Sequence, residues 1–438
     1  MANVILITHW TSGDVFPFLR FGKLLKQEGH KVTVLTHCIF EERAKKMGLE
    51  FVPVDTPEEY AEISGDMLML SDPIGNKEDY LNFHLKYHGK ERLLREVKLI
   101  EDICTEDTII IARFRSSIAG QIVAERKNLP YASMVLAPNY FAHMELHEQL
   151  FGKEFCDDIN SAREELRLPA ISNWKDWLYS PKSILCVWPS WYAAPDETWP
   201  EGACYIGFLE DREENGNTSQ NVVFNELLEE AHNSGKKMVI VTGGSSHLIN
   251  RDFYTSSIGA CKMSDVYAAV VTPFEEYMPP KVPDRIKWIG NVSLRSIMDK
   301  ADLIIHHGGM GTLNEALDAG IPQIILPHFA DRPDNADRLV KMGVGSKFPP
   351  KQWKAEIIAE GINKMLEESV HSICKEYQKK NFDSYAEKLW RDILMQIKPY
   401  VLPKQEFPAE KPKAQNGVKR ELSRELLLGI IRKNKENN

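Results

Sequence analysis

Short apolar runs alternate along this chain with stretches of helical spacing. Val4–Ile7, Val32–Thr36, Thr108–Ala112, Tyr131–Val135 and Ile184–Trp191 are runs of the length of buried parallel strands. Phe18, Phe21, Leu24 and Leu25 share one helical face, which Gly29 ends, and a further helix is predicted over Ile118–Arg126. Residues 56 to 104 and the segment from Ala137-Pro138 to Asn173 read as helical and polar. Strand, helix, strand in this order builds a parallel α/β sheet. The pattern then restarts. A helix over Phe224–Ala231 precedes the strands Lys237–Val241, Ile286–Ile289, Leu303–Ile305 and Ile324–Leu326, and helical spacing returns from 355 to 395 through Ile357, Ile358, Ile362, Met365 and Leu366. Between the two series lies Glu210–Gln220, charged and Asn/Gly-rich, which reads as a linker.

The chemistry concentrates in 303–336. The strand Leu303–Ile305 runs into His306-His307-Gly308-Gly309-Met310-Gly311-Thr312, then into a helix that Gly320 and Pro322 close; the strand Ile324–Leu326 leads to the polar loop Asp331-Arg332-Pro333-Asp334-Asn335. Glycines between a parallel strand and a helix let backbone N–H groups reach an anion, and the positive end of the helix dipole favours it. Thr312 can add a hydroxyl donor, and His307 a ring N–H that can become cationic as negative charge develops. Glu315, one turn in, is placed to accept two hydrogen bonds from a vicinal diol such as ribose. Asp331 and Arg332 leave the carboxyl end of a strand, where open α/β sheets bind ligands. Phosphate, ribose and a second polyol each have a contact, which suits a nucleotide sugar. His306 is expected to pack, and adjacent histidines on an extended chain face opposite ways, so they do not share a metal.

In the first half, the loop His9-Trp10-Thr11-Ser12-Gly13-Asp14 lacks the G-x-G-x-x-G dinucleotide fingerprint. It offers Asp14 beside Gly13, either as a reactive carboxylate or as the cap of a helix beginning near Phe16-Pro17. Met67, Met69, Tyr80, Phe83 and Tyr87 read as packing. His143 and His147 lie four apart on one helical face, without a third metal ligand in view.

The spacing His307, Gly309, Gly311-Thr312, Glu315, Gly320, Pro322, Pro327, Asp331, Asn335-Ala336 resembles the nucleotide-sugar signature of family 1 glycosyltransferases. Their fold, GT-B, sets two Rossmann-like domains face to face, with a C-terminal helix returning to the first. The resemblance implies that His307, Gly309, Gly311 and Thr312 hold a diphosphate, Glu315 a ribose, and Asp331 with its neighbour the sugar hydroxyls. Arg332 stands where glutamine is usual; it would pair with Asp331 or Asp334, the favoured reading, or read an acidic sugar such as glucuronate. By the same resemblance Gly244 and Ser245 flank the diphosphate (or form a tight turn only), and Val292 and Ser293 flank the nucleobase through backbone groups. Ser12-Gly13-Asp14-Val15-x-Pro17 is similar to the first loop of bacterial members. There the aspartate is a base on the acceptor, with Gly13 beside the donor; plant members place a histidine nearby, so His9 competes. The first half looks closest to the rhamnosyltransferase and natural-product branch.

Of 438 residues, 27% are charged and 43% hydrophobic, and the formal net charge is −9, which argues against a nucleic-acid partner. Seven cysteines, an odd number without C-x-x-C, suit a reducing compartment. No run reaches a membrane span, and the start of the chain reads as a strand, so the expected location is cytoplasmic. Beyond Pro399 a Pro- and Lys-rich linker leads to 418–433, a basic amphipathic stretch suited to a peripheral membrane surface or a protein partner.

The expectation is therefore an inverting, metal-independent glycosyltransferase of the GT-B fold, needing no cofactor beyond its nucleotide-sugar co-substrate. Its domains would be 1–212 for the acceptor, 221–385 for the donor, a returning helix at 386–400 and a tail at 401–438. A carboxylate facing a 2′,3′-diol favours a UDP-sugar over a TDP-sugar. The acceptor would be the hydroxyl of a small lipophilic metabolite or lipid. The alternatives are a catalytically silent nucleotide-sugar-binding subunit and a nucleotide-sugar epimerase on the same scaffold.

Overall fold

A computed structural model describes residues 2–209, 219–244, 249, 251–290, 292–386, 394 and 397. The apolar runs become two parallel sheets. The first holds seven strands: β1 (Asn3–Ile7), β2 (Lys31–Thr36), β3 (Glu50–Pro53), β4 (Thr108–Arg113), β5 (Tyr131–Val135), β6 (Ile184–Cys186) and β7 (Ala203–Tyr205), in the order β3-β2-β1-β4-β5-β6-β7. The second holds six: β8 (Met238–Thr242), β9 (Tyr267–Val271), β10 (Ile286–Gly290), β11 (Leu303–His306), β12 (Gln323–Ile325) and β13 (Gly345–Lys347), in the order β10-β9-β8-β11-β12-β13. Successive side chains leave a strand on opposite faces, so each sheet carries two apolar layers. In β1, Val4 and Leu6 join one cluster while Ile5 and Ile7 join another. In β11, Leu303 and Ile305 face one layer and Ile304 the other.

Several predicted elements differ in extent. The first helix is Ser12–Gln27, beginning four residues before Phe16-Pro17, because Thr11 is extended (φ −92°, ψ 172°) and the Asp14 carboxylate accepts from its N–H. The polar loop after Asp331 is instead the opening turn of the helix Arg332–Lys341, with Pro333 at a position that needs no N–H and Arg338 reaching back to Asp334. Between β10 and β11 the chain makes two single 3₁₀ turns, Leu294–Ser296 and Met298–Lys300. The helix Arg251–Met263, β9 and β3 are additions to the sequence reading. Trp10, Phe83, Tyr87 and Met67 form a small buried cluster beside the loop after β1, so the aromatic and Met content of that region is packing, as expected.

The two halves meet through side chains. Tyr192 Oη donates to Asn335 Oδ1 at 3.0 Å, and Trp191 Nε1 donates to Ser384 Oγ at 3.0 Å. The helix Glu368–Ala386 lies along Met310–Ala319, where Gln378 and Lys375 donate to the carbonyls of Asp318 and Ala319. Leu394 and Ile397, 4% and 7% exposed, pack in the apolar layer of the first sheet. The rest of 386–400, most of the linker and the tail 401–438 lie outside the described residues.

Candidate active site

Each sheet has one place where the strand order reverses, and there the loops leaving neighbouring strands diverge into a crevice. In the first sheet this is between β1 and β4; in the second, between β8 and β11. The candidate residues collect at these two points.

At the first, His9 bridges the crevice. Its Nδ1 lies 2.7 Å from Ser117 Oγ and its Nε2 2.9 Å from Glu96 Oε1. With both ring nitrogens engaged and only 1% of the residue exposed, His9 is held between Ser117 and Glu96. Asp14 stands at the third position of its helix with its side chain 21% exposed. Oδ2 accepts from the Thr11 N–H (3.1 Å) and Oγ (2.9 Å), while Oδ1 pairs with Arg113 Nη2 at 2.8 Å. Arg113 also donates to Ser116 Oγ and to Tyr140 Oη, at 2.7 and 2.8 Å. Burial alone would lower the Arg113 pKa, but Asp14 and Tyr140 outweigh it and raise it. Gly13 is exposed at the helix start, where an added Cβ would meet nothing nearer than Thr11 Oγ at 3.7 Å.

At the second, the imidazole of His307 lies in a cradle between two glycines. A Cβ on Gly309 would stand 2.5 Å from Nε2, and one on Gly244, where φ is +84°, 2.9 Å from Cε1. Burial first, then Arg332, hold the His307 pKa well below its ordinary value. The ring is thus held neutral by its surroundings, and the charge developing on a diphosphate is what would favour its protonation. His306 packs as expected. It accepts from the Gly308 N–H through Nδ1 at 3.1 Å, so Nε2 carries the proton towards Gln323 Oε1 at 3.0 Å; burial pushes its pKa down to about 4. The helix Met310–Ala319 begins at Gly309 with no side-chain cap, leaving its first amides to face outward. A Cβ at Gly311 would meet nothing within 4 Å, and Thr312 sits half-buried in the same turn. Glu315 Oε1 is 3.3 Å from Arg20 Nη2 of the first lobe, an inter-lobe pair. Gly244 donates to Thr242 Oγ at 3.1 Å, and Ser245 lies outside the described residues. Val292 is buried in the core, and the Ser293 carbonyl accepts from Ser296. Trp288 Nε1 donates to the Thr272 carbonyl at 2.8 Å, which fixes the ring at the strand.

Asp331 Oδ2 accepts from Asn335 Nδ2 at 2.8 Å, and the same amide reaches the Gly308 carbonyl at 2.9 Å, tying this helix to the glycine turn. Burial raises the Asp331 pKa. Arg332 makes no ion pair with Asp331 or Asp334, contrary to the favoured reading. Asp334 is taken by Arg338, one helical turn on, at 2.8 Å, and the Arg332 guanidinium lies 4.4 Å from the centroid of the Phe329 ring. Burial lowers the Arg332 pKa against the fields of Asp331 and Asp14, so charges from both lobes converge on one space. His307 Nδ1, Arg332 Nη1 and Arg113 Nε are each buried without a hydrogen-bond partner among the described residues. A ligand that supplied acceptors would satisfy them.

Among the described residues, no three His, Cys, Asp or Glu side chains group as metal ligands, and His147 Nδ1 instead hydrogen-bonds the His143 carbonyl at 2.9 Å. The sequence reading missed Arg113, Tyr140, Glu96 and Arg20. Only Arg113 left a signal, as a cation ending a buried strand next to the switch point.

Comparison with known proteins agrees with the fold. Residues 4–145 match the glycosyltransferase family 28 N-terminal domain, and residues 262–383 match the C-terminal domain of erythromycin biosynthesis protein CIII-like proteins. Sterol 3-beta-glucosyltransferases of Komagataella phaffii and Saccharomyces cerevisiae are 27% and 24% identical over 87% and 86% of this chain. The chain spans about a third of the length of these relatives, 34% in each case. Solved structures with the same fold include the glycosyltransferase of kitacinnamycin (TM-score 0.67, 16% identical, 90% of this chain and 98% of that one). Another is a Medicago truncatula protein complexed with UDP-glucose (0.64, 17%, 90% and 98%), and a third the spinosyn rhamnosyltransferase complexed with thymidine diphosphate (0.64, 16%, 88% and 98%). With two parallel sheets, matching domain models in both halves and its glycine-cradled histidine, this chain belongs to the family 1 glycosyltransferases of GT-B fold, in the natural-product branch.

Proposed function

We propose that the chain transfers a hexosyl group, with inversion and without a metal, from a nucleoside-diphosphate sugar to a hydroxyl of a lipophilic acceptor of sterol-like size. The observation that carries this reading is the pairing of the two switch points: Asp14 on one lobe and the His307 turn with Asp331 on the other border one space. In the single displacement, the acceptor oxygen bonds to the anomeric carbon as the bond from that carbon to the β-phosphate oxygen breaks. The acceptor proton passes to Asp14, and the nucleoside diphosphate leaves with the electron pair. The neutral His307 N–H, Thr312 and the helix amides stabilise the charge that gathers on the leaving diphosphate. A UDP-sugar is favoured over a TDP-sugar because Glu315 gains a second hydrogen bond from the 2′-hydroxyl. The lipid acceptor is supported by the sterol glucosyltransferase relatives.

The test is an assay of the full chain with UDP- and TDP-sugars and a panel of sterols and other lipophilic alcohols, read by mass spectrometry, with the product's anomeric configuration by NMR. No glycoside from any pairing, with the protein folded, would remove the enzyme reading. One observation favours the silent-subunit alternative: both Asp14 oxygens are already engaged, by Thr11 and Arg113. Nucleotide binding without turnover would support it. No helix of the described residues is long and apolar enough to cross a membrane. A cytoplasmic location with peripheral contact through 418–433 belongs to the same proposal, and that segment lies outside the described residues.

A further inference from the structure

Arg332 is 8% exposed, and its Nη1 has no hydrogen-bond partner among the described residues. A buried cation is costly unless something compensates it. The carboxylates around it are occupied in other ways: Asp14 by Arg113, Asp334 by Arg338, and Asp331 through Oδ2 by the Asn335 amide. The guanidinium is also held in place. It stacks on Phe329 at 4.4 Å, and its backbone is pressed against the glycine turn, where a Cβ on Gly308 would lie 3.2 Å from the Arg332 carbonyl oxygen. A residue fixed in this way beside the donor turn, with an unused N–H, fits an anionic oxygen.

We propose that Arg332 selects the transferred sugar by taking a carboxylate on it, so that the chain prefers a hexuronosyl nucleotide to the neutral hexosyl one. The inference rests on the donor reading above and deepens it. The diphosphate already has His307, the turn amides and the helix terminus, and Asp331 is available to a sugar hydroxyl. Asp331 and Asp14 offset the charge through space, but a neutral hexose would leave Nη1 without an anionic acceptor, whereas the planar fork of an arginine matches a carboxylate with two parallel hydrogen bonds.

Calorimetric titration of the full chain and of Arg332→Gln with UDP, UDP-glucose, UDP-glucuronate and UDP-galacturonate tests it. The expected result is that one uronate binds the unaltered chain about tenfold or more tighter than UDP-glucose, and that Arg332→Gln abolishes this preference. Should Arg332→Gln not fold, Arg332→Lys keeps the charge, loses the fork and is expected to retain part of the preference. Equal affinity of the unaltered chain for UDP-glucose and both uronates overturns the proposal. So does an Arg332→Gln that weakens UDP and UDP-glucose as much as the uronates, because the guanidinium would then be reading the diphosphate. If UDP itself fails to bind the unaltered chain while thymidine diphosphate binds, the nucleotide assignment has failed, and the same comparison with thymidine diphosphate sugars decides the carboxylate question. Binding of neither diphosphate overturns both readings.

Discussion

Arg113 ends β4 and closes an ion pair of 2.8 Å on Asp14, the third residue of the helix that follows β1. The pair spans the point where the first sheet changes direction, so the carboxylate is aimed by a strand end and a helix start rather than by a free loop. Asp14→Asn keeps the shape and removes the base. Turnover is expected to fall about 10²- to 10⁴-fold with donor affinity little changed, measured by steady-state kinetics and donor titration. Unchanged turnover with every accepted acceptor would sink the assignment of Asp14.

Gly309→Ala tests the imidazole cradle. Its Cβ would fall 2.5 Å from His307 Nε2, so the ring must leave its place. The loss expected in kcat/KM is on the order of 10²-fold or more, the scale of removing one transition-state donor. The melting temperature, measured alongside, shows whether the variant is folded.

Glu315 presents a competition. Its carboxylate pairs with Arg20 and, on the proposed reading, would also be the group that accepts from ribose. Glu315→Ala is expected to weaken UDP binding several-fold and thymidine diphosphate binding less. Arg20→Ala should leave UDP binding equal or tighter. Weaker UDP binding by Arg20→Ala would show that Arg20 itself touches the nucleotide.

The buried histidines make stability depend on pH. Burial lowers the pKa of His306 to about 4 and of His84 to about 3, and lowers that of His307 as well. In this range the unfolded chain binds more protons than the folded one, so stability is full above about pH 6.5 and is lost as pH falls towards 4. The slope is on the order of 1 kcal/mol per pH unit for each such group. Denaturant midpoints measured from pH 7.5 to 4.5 should therefore fall steadily, and His306→Gln should flatten the curve. A midpoint that does not move over this interval would contradict the burial of these rings in neutral form.

Much of the architecture could be read from the chain because parallel strands buried on both faces leave continuous apolar runs, and β1, β4, β5, β8 and β11 are such runs. What failed to show was local or distant. β13 is three residues long, and β3 lies at a sheet edge, too short and half-exposed to leave a run. The opening turn of Arg332–Lys341 is polar on its visible residues, so helix and loop look alike there. The site was half legible. Its donor turn is contiguous in sequence, so the local pattern and the family resemblance it carries propose His307, Gly309 and Glu315 together. Arg113 lies 99 residues beyond Asp14 and Arg20 lies 295 before Glu315, and no local pattern joins them. The partner of Arg332 was misjudged because sequence adjacency to Asp331 said nothing of Phe329 lying beneath it.

Leu394 and Ile397 come after every strand of the second sheet, yet they fill the apolar layer of the first. The polypeptide is therefore threaded like a closed belt, out through the linker and back again. A fragment cut before residue 394 would lack two of the side chains that finish the opening half, and such a fragment, produced alone, should be prone to aggregate. Supplying the missing portion as a separate peptide should rescue it, which makes the molecule a candidate for split-protein complementation.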